Sequence, residues 1–233
     1  MAKAKTEIKI SVILPSRDGL SRPLVKSIES LYSTISNKDK MEVLLALDED
    51  DPSVNELRHY IDTNMSEYNI RPFVFKERYG YKNFHKYQNE IAKLAAGSWL
   101  LFWGDDQCST TENWDLFLEK YEDKFVVLSP KMVGSPNKDW SVAPIVPKTW
   151  FDLLGHVSMN LHTDKWVCDM ARELDMLVNI PFWVSISPGS GRHDFKGYES
   201  TLFQREIDMK KIKDYLNKNP SCRGKSFWLR PNS

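Results

Sequence analysis

Three polar or acidic clusters follow short apolar runs in the first half of the chain. Ser16-Arg17-Asp18 follows Ile8 to Leu14, Asp48 to Asp51 follows Met41 to Leu47, and Asp105-Asp106 follows Trp99 to Trp103. Adjacent carboxylates suit hard divalent cations, which take oxygen ligands and bridge one or two carboxylates to substrate phosphates. Gly104 before the Asp105-Asp106 pair lets a ligand approach the backbone closely. The same pair also reads as an exposed acidic turn that caps a following helix. No glycine fingerprint follows the first apolar run, and there is no Walker loop. The first cluster is therefore not a pyrophosphate cradle of the dinucleotide-binding kind, and any phosphate bound there needs its charge offset by a metal.

The elements that must carry these clusters alternate. Ile8 to Leu14, Met41 to Leu47, Pro72 to Phe75, Trp99 to Trp103 and Phe125 to Leu128 read as strands. Between them the apolar spacing predicts helices over Arg22 to Ile35, Ser53 to Tyr68, Asn83 to Ala96 and Thr111 to Glu122. Ser53 with Glu56 resembles a capping box, and Gly97 is placed as a helix C-cap. Strands separated by helices imply parallel βαβ units in an α/β fold with a mostly parallel central sheet flanked by helices. In such sheets ligands bind at the carboxyl ends of the strands, where all three clusters lie. Lys131 to Pro147, with Pro136, Pro144 and Pro147, reads as loop with short extended pieces. Beyond it, helices are expected from about Trp150, over Asp164 to Met176 and over Thr201 to Leu216. A strand is expected over Ile180 to Ile186, and a Gly-rich turn holds Arg192, His193 and Asp194.

Composition narrows the function classes. The 233 residues carry 32 basic and 32 acidic side chains, a net charge of zero, which argues against a general nucleic-acid or anionic-membrane binder. The 3 cysteines, Cys108, Cys168 and Cys222, are widely spaced without a CxxC pair, so neither a disulfide framework nor a cysteine zinc site is expected. A cytoplasmic, reducing setting fits that usage. No apolar run reaches the roughly 18 residues of a membrane helix, and none near the start is long enough for a signal peptide. One domain is expected over residues 1–233, with a nucleotide-binding half to about 130 and an acceptor half beyond it. The 8 tryptophans suit sugar or base stacking, though core packing is the ordinary use of such large rings.

The stretch Asn89-Glu-Ile-Ala-Lys-Leu-Ala-Ala-Gly97-Ser-Trp-Leu-Leu-Phe-Trp-Gly-Asp105-Asp106 resembles the family-2 glycosyltransferases of the GT-A fold, within the nucleotide-diphospho-sugar transferase superfamily. Their pattern runs from an Asn through a helix with Ala and Gly into an apolar strand that ends in a DxD-type metal motif. Asn89, Ala95, Gly97 and Asp106 fall in register with it, and Ile10 to Ser16 and Glu42 to Asp48 are similar to that family's first two strands. The likeness covers about residues 8 to 175. The first Asp of the DxD pattern is Gly104 here.

The resemblance implies a transferase that moves a sugar from a nucleotide-diphosphate donor to a glycan or other hydroxyl acceptor, with Mn²⁺ or Mg²⁺ and with inversion at the anomeric carbon. Pro15, Ser16 and Arg17 would line the base and ribose pocket, Asp48 would accept a hydrogen bond from the base, and Lys82 would approach the nucleotide. Asp105 and Asp106 would serve the diphosphate and its metal, with His193 as a further metal ligand. Asp164, near the start of a helix in the acceptor half, would be the catalytic base; Asp169 and Asp152 are the other carboxylates there. Trp140, Trp150 and Trp166 lie around the acceptor region. Two other readings stay open from the sequence: a non-catalytic nucleotide-sugar or glycan-binding module of the same fold, and a nucleotidyltransferase, which would want a glycine-rich basic loop after the first strand.

Overall fold

The computed structural model describes residues 7–17, 19–20, 23–135, 141–187 and 201–224. The sheet strands are β1 (Ile10–Pro15), β2 (Met41–Asp48), β3 (Ile70–Phe75), β4 (Trp99–Phe102), β5 (Gln107–Ser109), β6 (Val127–Met132), β7 (Ile145–Pro147) and β8 (Leu177–Ile186). The helices are α1 (Leu24–Thr34), α2 (Val54–Asn64), α3 (Phe84–Ala92), α4 (Lys148–Leu154), α5 (Thr163–Glu173) and α6 (Leu202–Lys218). The strands form one sheet in the order β3-β2-β1-β4-β7-β6-β8-β5. β3, β2, β1 and β4 run parallel, as the helical crossovers between them require. β7 is antiparallel to both β4 and β6, β6 and β8 are parallel, and β5 is antiparallel to β8.

Both faces of this sheet are covered, which is why its first strands read as continuous apolar runs rather than as alternating ones. In β1, Val12 and Leu14 join one core and Ile13 the other; in β2, Val43, Leu45 and Leu47 join the first and Leu44 and Ala46 the second. The first core is closed by α1 and α2 through Leu24, Ile28, Leu31, Leu57 and Ile61. The second is closed by α3, α4, α5 and α6 through Ile91, Trp150, Trp166, Met170 and Ile212. Each such aliphatic side chain, fully buried, contributes roughly 1.5–3 kcal/mol.

Several local expectations change. Ser53 sits at the N-cap position of α2 but its side chain makes no capping bond: its backbone N–H and its hydroxyl both donate to Asp51 Oδ1, at 2.8 Å each. α3 ends at Ala92, so Gly97 is not its cap. Gly97 instead lies where a Cβ would stand 2.6 Å from the backbone nitrogen of Ser11, so the chain passes β1 too closely for any side chain. The segment before β6 is a 3₁₀ helix, Trp114–Tyr121, rather than an α-helix. The proline-rich stretch supplies the end of β6 and all of β7, which pairs with β4 (Leu101 opposite Ile145). Pro147 sits at the end of that strand, where a missing N–H is tolerated. Gln107–Ser109 is a further short strand that the sequence pattern does not mark.

Two of the tryptophans placed around the acceptor region are core residues. Trp150 and Trp166 are fully buried, and Trp150 stacks on Phe125 with ring centroids 6.1 Å apart. Neither ring face is open to a sugar. Trp114 and Trp103 likewise stack on Phe182, at 4.7 and 6.1 Å. Trp140 lies outside the described residues. Among the described residues no helix is long and apolar enough to cross a membrane.

Candidate active site

Strand register assembles the site. β1 pairs with β2 so that Pro15 lies opposite Ala46, and extending that register sets Arg17 against Asp48. β1 pairs with β4 so that Ile13 lies opposite Phe102, and the same extension sets Ser16 against Asp105. Both contacts are made. Arg17 Nη1 donates to Asp48 Oδ2 at 3.0 Å and to Asp50 Oδ1 at 2.6 Å. Ser16 Oγ donates to Asp105 Oδ2 at 2.8 Å. Three parallel strands thus deliver their terminal polar residues to one sheet edge.

That edge opens into a cleft of about 540 Å³. Pro15, Ser16, Arg17, Asp48, Asp105, Asp106 and Asp164 all line it. Lys82 does not. It is exposed on the 3₁₀ turn Tyr81–Asn83, next to Tyr81, which does line the cleft. Asp18, Arg192 and His193 lie outside the described residues.

The Gly104-Asp105-Asp106 turn is held from three sides. Ser27 of α1 accepts from Trp103 Nε1 at 2.8 Å and donates to the Gly104 carbonyl at 3.2 Å. The Gln107 side chain accepts from the Gly104 N–H at 3.1 Å and donates to the Val142 carbonyl at 3.0 Å. The Asp106 carbonyl accepts from the Ser187 N–H at 2.8 Å, just beyond β8. A Cβ at Gly104 would stand 2.8 Å from Asp106 Oδ1, so glycine leaves the space that this carboxylate fills. Fixing the turn in advance spares the cost of ordering it when a charged ligand arrives.

Asp164 reaches the cleft from α5. Asn89 of α3 clamps the loop that leads to it: Asn89 Nδ2 donates to the Ser158 carbonyl at 2.8 Å, and its Oδ1 accepts from the Val157 N–H at 2.8 Å. Thr163 Oγ1 donates to Gln88 Oε1 at 2.6 Å, which ties the start of α5 to α3. Asp164 follows in the first turn of α5, and its Oδ1 accepts from the Lys165 N–H at 2.8 Å. The residue is half-buried on the wall of the cleft. Desolvation therefore pushes its pKa above the ordinary carboxylate range, against the lowering effects of the Lys165 N–H and of His162. Asp169, one turn on, is paired with Lys165 (2.6 Å) and Arg172 (2.8 Å), and Asp152 with Lys148 (2.5 Å). Neither lines the cleft.

Around Arg17 the shift runs the other way. Asp50 is held below the usual carboxylate range, first by its hydrogen bond from Arg17, and the Arg17 guanidinium is stabilised in return. Arg78 adds a second cation 3.6 Å from Asp50. The tertiary structure also brings in residues that the sequence does not single out: Arg78, Tyr87, Gln88 and Thr163. Tyr87 and Ile91 share helical spacing, so Tyr87 reads as an ordinary core ring.

The donor set fits a divalent cation in chemical type. Asp105 and Asp106 offer hard oxygens beside an open cleft, and phosphate and water oxygens complete such a shell. Among the described residues no group of three or more His, Cys, Asp or Glu side chains forms a ready cage.

No protein-family model and no curated protein matches the chain. Solved structures do. The 1–349 portion of S. aureus TarS in complex with UDP-GlcNAc is 15% identical and superposes with a TM-score of 0.61, covering 88% of this chain and 66% of that one. The mannosyltransferase PcManGT from Pyrobaculum calidifontis, in complex with GDP-Man and Mn²⁺, is 14% identical with a TM-score of 0.63, covering 94% and 77%. A longer TarS structure is 14% identical with a TM-score of 0.59, covering 93% of this chain and 44% of that one. The chain spans less than two thirds of the length of the TarS structures it matches. With the strand order, the cleft at the strand ends and these likenesses together, the chain has the GT-A-like fold of nucleotide-sugar glycosyltransferases.

Proposed function

We propose that the chain is a glycosyltransferase that takes a sugar from a nucleotide-diphosphate donor to an acceptor hydroxyl, with inversion and with help from a divalent metal. The observation that carries this reading is the convergence on one cleft of the three strand-end clusters and the Asp164 carboxylate. The structural neighbours, which bind UDP-GlcNAc or GDP-Man with Mn²⁺, support it.

In this reading Arg17 and Asp48, with Pro15 and Ser16, hold the nucleoside. A carboxylate beside a guanidinium matches a base edge in which a ring N–H lies next to a carbonyl oxygen, as in uracil or guanine. Asp106 and Asp105 would hold Mn²⁺ or Mg²⁺, whose chemistry is to offset charge on the leaving diphosphate. Asp164 takes the proton from the acceptor hydroxyl. The freed oxygen attacks the anomeric carbon as the bond from that carbon to the diphosphate oxygen breaks. Desolvation makes Asp164 more basic than a free carboxylate, as the task requires. Attack from the face opposite the leaving group gives inversion.

The test is calorimetry with UDP, GDP and their sugar conjugates, with and without Mn²⁺. Nucleoside diphosphate affinity is expected to rise with Mn²⁺, and Asp106→Ala to remove that gain. Identical affinity with and without metal would count against the metal role. No binding of any nucleotide sugar would end the transferase reading.

A further inference from the structure

Tyr87, in α3, is 6% exposed and lines the cleft beside Asp48. Its hydroxyl donates to Asp48 Oδ1 and accepts from two consecutive backbone N–H groups, Tyr79 at 2.9 Å and Gly80 at 3.2 Å. A tyrosine hydroxyl has one donor and two acceptor positions, so this one is fully used. Burial, then the Asp48 bond, pushes its pKa up to about 12, so it stays protonated and donating at neutral pH. The ring is fixed by Phe75, edge-on at 5.4 Å, and by Tyr79 at 5.0 Å.

The loop that meets the hydroxyl is built for the contact. Gly80 has φ 69° and ψ 174°, a conformation open essentially only to glycine. That reversal points successive N–H groups at one oxygen. The same loop carries Arg78, Gly80 and Tyr81 into the cleft wall. On the other side, Asp48 Oδ2 is taken by Arg17 at 3.0 Å. Each carboxylate oxygen thus holds one donor, which stops the carboxylate rotating and leaves its remaining lone pairs in fixed directions.

We propose that Tyr87 is a positioning residue for nucleobase recognition: its hydroxyl sets the orientation of the Asp48 carboxylate and, through the same oxygen, the Arg78–Tyr81 wall against which the base lies. This rests on the nucleotide-binding reading of Asp48. It adds a residue that contacts no reacting atom and works through two neighbours.

The experiment compares UDP, GDP and inorganic pyrophosphate by calorimetry, on the wild-type chain and on Tyr87→Phe. Wild type is expected to bind a nucleoside diphosphate more tightly than pyrophosphate. Tyr87→Phe is expected to lower that preference about tenfold, the usual effect of removing a hydrogen bond to a charged group, with pyrophosphate affinity unchanged. An unchanged preference overturns the proposal and leaves the nucleotide reading standing. Equal loss for nucleotide and pyrophosphate also overturns it, because it marks a general structural role. A wild-type chain that shows no preference removes the nucleotide reading itself. Should Tyr87→Phe fail to fold, amide hydrogen exchange on the wild type decides. Protection of the Tyr79 and Gly80 N–H groups should rise with UDP or GDP and not with pyrophosphate, and no difference between the ligands overturns the proposal.

Discussion

Replacing Asp164 by Asn separates a catalytic base from a structural carboxylate with almost no change of shape. Asn retains an acceptor for the Lys165 N–H, now 2.8 Å from Asp164 Oδ1, so the first turn of α5 keeps its local bond. It cannot take a proton from an acceptor hydroxyl. Loss of a general base costs about 10²- to 10⁴-fold in rate, or roughly 2.7 to 5.4 kcal/mol of barrier. Desolvation raises the pKa of this carboxyl above its ordinary value, in the direction that strengthens a base. Nucleotide affinity should barely move, because a catalytic base would act only at the chemical step. The assay is steady-state release of nucleoside diphosphate from the sugar donor, paired with calorimetric donor binding. Across pH, wild-type kcat should show an acid limb above the usual carboxylate range of about 3.9, and this limb should be absent in Asp164→Asn. Stability has the opposite sense. A carboxyl whose folded pKa is raised favours the folded state while protonated, and that advantage is lost as pH rises from the unfolded pKa through the folded one. At neutral pH the Asn variant should therefore be at least as stable as wild type. Near-wild-type turnover by a folded Asn variant would refute the assignment of the base.

Two further substitutions test the packing. Trp150→Ala should destabilise by about 3–5 kcal/mol in urea unfolding, because Trp150 is fully buried, and should leave nucleotide affinity nearly unchanged; a small stability cost would mean the ring is not core. Gly97→Ala should lower the thermal midpoint, since its Cβ would stand 2.6 Å from Ser11 N and 2.7 Å from the Ile10 carbonyl carbon, and backbone atoms cannot yield; overpacking of this kind costs about 1–3 kcal/mol. A midpoint at or above wild type would show that β1 and the Gly97 turn are not held so close.

The order of elements and the sheet edge where the polar clusters gather are legible in the residues alone. Ile8 to Leu14, Met41 to Leu47 and Trp99 to Trp103 are apolar because both sheet faces are covered, and each is followed by a proline, an aspartate or a glycine at or just past the end of its strand. Parallel strands joined by helices must end on one side, so Ser16, Arg17, Asp48, Asp105 and Asp106 share a cleft by topology. These are local signals, repeated along the chain.

What the pattern leaves open depends on residues far apart in sequence. β7 is a short strand among prolines, and only its pairing with β4 marks it as part of the sheet. Gly97 has the same local context whether it caps a helix or passes a backbone closely, and the approach of β1 decides between them. Asp152, Asp164 and Asp169 are equivalent as residue types. The helix packing turns Asp164 into the cleft and leaves Asp152 and Asp169 paired with their own neighbours, Lys148, Lys165 and Arg172. Tyr87 follows helical spacing and looks like any core ring. Its hydroxyl acquires a role only when β2 brings Asp48 within reach and the glycine turn at Gly80 sends two N–H groups back to it. Propensity and periodicity are set by nearest neighbours along the chain, whereas the direction of a side chain is set by the register and packing of elements that meet only in the folded molecule.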